Sequence, residues 1–232
     1  MALMLSVPQQ TSYATSLSLQ PSDVSGNQIL AHFDSMPGNQ PSNYGNTLFL
    51  WQTGAQIVPI NTQPQSFTAI GTNQPNAAWL FMNLDVTSEP YLLAYAVGGD
   101  PSNIVSTVFI PASSAGLTAY TSMNATVTVT GIMSTEIAFF YAAPLGQSPL
   151  AQGDWVGLWP GQSEGTLYTT PPTFVAQIST TASQGNWGLN LVSGGIQSGT
   201  MYTLGYFKGG WNAAAPTHST QTTLACSTTF FA

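Results

Sequence analysis

The sequence predicts an all-β fold made of two tandem β-sandwich domains, and three observations carry that prediction. Apolar residues cluster in short runs of strand length, some alternating strictly with polar ones, as in Val127–Thr130. Between the runs lie turn-forming stretches: PGNQPSNYGN, GTNQPN, GGDPSN, SGGIQSG and KGGWNAAAP. No segment combines helical periodicity with caps, and the spacing of Pro and Gly leaves little room for a long helix.

Taken in order, the first set of expected strands is QILAHF, TLFLW, FTAI, AWLFMNL, YLLAYAV and STVFI. The second is TVTVT, EIAFFY, DWVGLW, FVAQI, NWGLNL, YTLGYF and TTLACSTTFF. The two sets read as copies of each other. The segment from Ile29 aligns with that from Ile137 without a gap at an offset of 108 residues, pairing Gly38 with Gly146, Pro41 with Pro149, Gly45 with Gly153, Leu50 with Leu158 and Trp51 with Trp159. Trp79 then matches Trp187, Tyr91–Tyr95 matches Tyr202–Tyr206, and Gly98-Gly99 matches Gly209-Gly210. Each copy has the size of an immunoglobulin-like sandwich. The expected organisation is an N-terminal extension over 1–14, a first repeat over 15–114 and a second over 120–232, divided at the small and polar residues of 111–122.

Charge is the unusual property. Charged residues make up 4% of the 232, where an average soluble domain has about 25%. Lys208 is the one basic side chain, and the acids Asp23, Asp34, Asp85, Glu89, Asp100, Glu136, Asp154 and Glu164 are scattered. Nucleic-acid backbones require a stripe of Lys and Arg, so nucleic acid is excluded as a partner. Polybasic attraction to anionic lipid is excluded on the same ground. No run is long enough to span a bilayer as a helix, and MALMLSVPQQ lacks the positive n-region of a signal peptide. The residue mix favours an extracellular or cell-surface setting. With one cysteine, Cys226, no internal disulfide forms, and its strand context marks it as a small buried hydrophobe.

The strand DWVGLW of the second copy sits in Gly153-Asp154-Trp155-Val156-Gly157-Leu158-Trp159, followed by Tyr202-Thr203-Leu204-Gly205-Tyr206-Phe207 and a closing Ser227-Thr228-Thr229-Phe230. This order resembles the SKICH-type immunoglobulin-like domain. The first copy keeps only traces of it, in Asn46–Trp51 and Tyr91–Tyr95. The resemblance implies a sandwich fold and a non-catalytic interaction module, and it transfers no binding residues.

No catalytic apparatus is legible. His32 and Asp34 share a strand face, but the second copy has Phe140 and Ala142 there, so the pair is expected to be incidental. Asp85, Glu89 and Asp100 are isolated acids that suit turns better than a calcium loop. No cofactor and no metal site is expected. Trp51, Trp79, Trp159 and Trp187 recur in both copies and are expected in the cores. Trp211 does not recur, and with Asn212 in a glycine-rich loop it forms a candidate ligand-binding pair for a sugar face or a partner protein.

Sheet edges in soluble proteins are guarded by Lys, inward charges or Pro, and here they carry almost none. The function expected is therefore that of a non-enzymatic structural protein, self-assembling through uncharged β-rich surfaces into a homo-oligomer, fibre or surface layer. The alternative is a carbohydrate- or protein-binding module, lectin-like or toxin-like; a membrane-pore former is a third reading.

Overall fold

A computed structural model of the chain describes residues 9–115, 119–191 and 195–232. Residues 1–8 of the N-terminal extension, with part of the 111–122 boundary and part of the SGGIQSG turn, lie outside the described residues.

Every strand expected from the sequence forms. In the first half these are β4 (Gln28–Asp34), β5 (Thr47–Gln52), β6 (Ser66–Ala69), β7 (Asn76–Met82), β8 (Tyr91–Ala96) and β9 (Ile104–Ile110). In the second they are β11 (Thr126–Met133), β12 (Glu136–Ala142), β13 (Trp155–Pro160), β14 (Phe174–Gln177), β15 (Gln184–Asn190), β16 (Met201–Phe207) and β17 (Leu224–Phe231). Four short strands were not expected: β1 (Thr11–Ala14), β2 (Ser16–Ser18), β3 (Val24–Ser25) and β10 (Thr121–Asn124).

The two units share one plan. In unit 1, β7 pairs β4 on one side while β2 and β3 pair it on the other, and this sheet faces β9-β8-β5-β6. In unit 2, β11-β12-β15 faces β17-β16-β13-β14. All pairings are antiparallel, so each unit is an immunoglobulin-like sandwich of two antiparallel sheets. Side-chain bonds recur at the aligned positions. Trp51 Nε1 donates to the Thr62 carbonyl at 2.9 Å, and Trp159 Nε1 donates to that of Thr170 at 2.7 Å. Tyr91 Oη accepts from the Asp85 amide at 3.0 Å, and Tyr202 Oη accepts from the Gln197 amide at 2.9 Å. Each is a tyrosine corner, tying the entry of a central strand to the backbone just upstream.

The units are not beads on a string. β1 pairs with β17 of unit 2, and β10 pairs with β9 of unit 1, so each unit's opening segment completes the sheet of the other. The registers are equivalent: Thr11 faces Thr229 and Ala14 faces Cys226, while Thr121 faces Phe109 and Asn124 faces Ser106. The segment 120–232 thus spends its first strand on the sheet of 15–114. Two loop contacts follow the same twofold relation. The Gly146 loop lies on the Ile57-Val58 loop, where the Val58 amide donates to the Leu145 carbonyl at 2.8 Å. The Gly38 loop lies against Gly165, and Met36 joins Trp155, Trp159 and Phe207 in one cluster. One continuous apolar core runs through both sandwiches. The accessible surface of 10346 Å² agrees with the roughly 10,000 Å² of a single compact particle of this mass, as contact on that scale requires.

The phenols of Tyr95, Tyr168 and Tyr206 have raised pKa values, chiefly because burial penalises the phenolate. An unfolded chain ionises them near the ordinary 10.0, whereas the folded chain keeps them neutral. The contribution is therefore complete below pH 10 and lost above it. Urea midpoints measured from pH 8 to 12 are expected to hold up to about pH 10 and then fall steeply.

Candidate functional site

The seam between the two sheets distinguishes the units. In unit 2 the edge strands β14 and β15 are tied across it. Trp187 lies in register with the buried Phe139 on the inner face, and its Nε1 donates to the Gln177 carbonyl at 3.0 Å. In unit 1 the equivalent Trp79 lies in register with the buried Ala31, so it too belongs to the inner face. No hydrogen bond joins β6 to β7 among the described residues, and the indole stands 45% exposed. The expectation that Trp79 belongs to the core is corrected on this point. Inner-face parity places a side chain between the sheets, but only a closed seam buries it.

The opening is a groove of about 240 Å³ lined by Phe33, Leu48, Thr68, Ile70, Ala77 and Trp79. Phe67, on the outer face of β6, is 63% exposed, with its ring 6.2 Å from that of Phe49. On the outer face of β7, Leu80 and Met82 are exposed. β6 and β7 each end a sheet, so each offers a row of backbone amides and carbonyls without a neighbouring strand. Between Ser66 and Met82 there is no charged residue. The site is thus a neutral apolar groove flanked by two bare edges, suited to an extended backbone or an aromatic anchor.

The surface around it holds no Lys or Arg. The single cation is wholly buried: Lys208 Nζ lies 2.5 Å from Asp154 Oδ2 and donates to Gln152 Oε1 at 2.9 Å. Asp154 also accepts from the Tyr206 hydroxyl at 2.7 Å and the Gly209 amide at 2.9 Å. Burial lowers the Lys208 pKa, and the Asp154 charge beside it opposes that shift. Glu164 is buried too and accepts from Thr229 Oγ1 at 2.7 Å. Asp23, Asp34, Asp85, Glu89, Asp100 and Glu136 remain outside the core.

The residues singled out in the sequence fall elsewhere. Trp211 is half-buried, packs on the Trp155–Phe207 cluster and donates its amide to the Gly153 carbonyl at 3.1 Å. Asn212 Oδ1 accepts from the amides of Ala214 and Ala215 at 3.1 and 3.2 Å, which commits it to its own turn. The pair is remote in sequence from the groove residues, and neither lines the groove. His32 Nε2 lies 3.4 Å from Asp23 rather than bonding with Asp34. Asp85 and Asp100 accept from the amides of Ser88 and Ser102, which is turn chemistry. Among the described residues no three His, Cys, Asp or Glu side chains cluster to hold a metal, and no helix is long and apolar enough to cross a membrane.

Fold and site together define a strand-exchanged pair of immunoglobulin-like sandwiches with one neutral open seam. No family model matches the chain, and no curated protein matches it. Among solved structures it resembles the FN1-FN3 domains of chicken CNTN1, at 9% identity and a TM-score of 0.24, over 89% of this chain and 60% of that one. It also resembles a Salmonella alpha-2-macroglobulin mutant, at 11% identity and a TM-score of 0.24, over 99% of this chain and 17% of that one. A trypsin-activated alpha-2-macroglobulin from Escherichia coli gives 11% identity and a TM-score of 0.22, over 98% and 17%. The chain spans less than two thirds of each of these, and TM-scores this low lend no weight to any of them.

Proposed function

We propose that this chain is a non-enzymatic structural protein that self-associates through uncharged β-rich surfaces, with the β6–β7 seam of one copy seated on the same seam of a second. The open groove lined by Trp79, with Phe67 exposed on the outer face of the bare edge strand β6, is the observation that supports this reading. A self-complementary contact needs no opposite charge, and this surface has no cation to offer an acidic partner. The outward carboxylates of two copies repel, so association strengthens as salt rises or as pH falls toward the pI of about 4.1. The SKICH-type likeness of the strand motifs in unit 2 agrees in kind with an interaction role.

Sedimentation velocity over a concentration series tests the reading. Trp79→Ala is expected to weaken self-association at least tenfold, as truncation of a buried interface tryptophan does, and Phe67→Lys to abolish it by guarding the edge. A wild-type chain that stays monomeric at high concentration under every salt and pH condition overturns the proposal. The glycan-binding alternative rests on Trp211 and Asn212, and a glycan array comparing wild type with Trp211→Ala would expose it.

A further inference from the structure

A second route to association lies at the opposite edge of the fold. β1 and β10 are equivalent strands docked in the same register on β17 and β9. The equivalence continues at the residue after each: the Thr15 amide donates to the Ala225 carbonyl, and the Ala125 amide to that of Val105. Their tethering differs. β10 is held by chain on both sides, between unit 1 and β11. β1 runs directly into the next strand through Thr15, and ahead of it the contact in the described fold is made by the Gln10 side chain.

What keeps β1 in place is almost wholly polar. Thr11, Ser12 and Tyr13 are exposed. Ser12 Oγ bonds Thr228 Oγ1 at 3.1 Å. The Gln10 side-chain amide donates to the Val129 carbonyl at 2.8 Å and accepts from its amide at 2.9 Å, beside the bulge in β11. A strand held by few apolar contacts and a short ladder opens at a small fraction of the global stability. Its departure bares Cys226–Thr229 of β17, an edge with no charge to guard it.

We propose that β1 of one copy docks on β17 of a second, linking copies head to tail by strand exchange. The contacts made in trans are those already made in cis, so the exchange is nearly neutral per contact and is driven by concentration. Because β1 leaves from unit 1 and lands on unit 2, each added copy presents a fresh β17 at one end and a fresh β1 at the other. The association is therefore heterologous, and it propagates as a ring or as an open filament according to whether its rotation closes.

Ser12 and Thr228 are direct cross-strand partners, so cysteines placed there report the pairing. Ser12→Cys and Thr228→Cys, made separately with Cys226→Ala and carrying tags of different mass, are mixed at high concentration under a glutathione redox buffer. The expected product is a mixed covalent dimer near twice the 24.4 kDa of the chain, several-fold above what either variant forms alone. The double variant Ser12→Cys/Thr228→Cys locks β1 in cis and is expected to lose head-to-tail association. A mixture with no more mixed dimer than the single variants, or a locked chain that still associates head to tail, overturns the proposal. If Cys226→Ala folds poorly the native cysteine is retained, since it is fully buried and its thiol is pushed up by burial. Trp79→Ala and Phe67→Lys should leave this crosslink unchanged, so failure of the seam contact and failure of strand exchange are read separately.

Discussion

Replacing Lys208 alone with methionine is expected to lower the unfolding free energy by about 3–5 kcal/mol, which for a chain of this size displaces Tm by on the order of 10 °C. The change leaves Asp154 at 0% exposure with its charge opposed only by the Tyr206 hydroxyl and the Gly209 amide. Desolvating a carboxylate without a counter-charge is the expensive outcome, and loss of the pair itself is not. The chain contains its own demonstration. In unit 1 the aligned positions are Asn46 and Val97, where the neutral Asn46 Oδ1 accepts from the Tyr95 hydroxyl at 2.8 Å in the same geometry. Both charges are present in one unit and both are absent from the other. Asp154→Asn with Lys208→Val should therefore recover most of the loss, bringing the unfolding free energy from urea titration to within about 1 kcal/mol of wild type. A single variant as stable as wild type would mean that water reaches this pair in solution.

Gly146→Ala is expected to cost about 2–4 kcal/mol, combining left-handed backbone strain with a steric clash between the units. Gly146 has φ +92, and a Cβ there would lie 2.6 Å from the Val58 carbonyl oxygen and 2.9 Å from Ile57 Cγ2. A backbone carbonyl cannot move aside as a side chain can, so the two loops must part. Gly38, at φ +84, would place its Cβ 2.8 Å from the Gly165 carbonyl oxygen and should behave alike. Gly45→Ala is the control. It has φ +67 and nothing within 4 Å, so it reports the backbone strain of about 1–2 kcal/mol without a clash. Equal losses at Gly146 and Gly45 in chemical denaturation would show that the loops do not touch in solution.

How much of this was legible follows from the range of the interactions. β4 and β12 announce themselves locally, since alternation along one strand is set by which face it buries. The same is true of β11, whose Val127 and Val129 are buried while Thr126 and Thr128 are exposed. β1 and β10 were missed because they are short and polar, and β1 pairs with residues more than two hundred positions away. A signal for them exists. TSYATSLSL repeats as TSMNATVTV at an offset of 110 residues, so the internal likeness extends upstream of Ile29 and Ile137. Trp79 and Trp187 form a second case: their equivalence is readable, and the fact that one is exposed while the other is half-buried is not.

Composition and internal likeness, by themselves, determined an all-β chain of two similar sandwiches with a surface almost free of ionic groups. Those properties belong to residues and their near neighbours, so they survive in a one-dimensional reading. Only the tertiary structure decided that the units exchange their opening strands, that the lone lysine is sealed against Asp154, and that one seam stands open while its counterpart is closed. Each of these depends on which distant edges meet, and that choice is made by the packing of two sheets against each other rather than by any single stretch of chain.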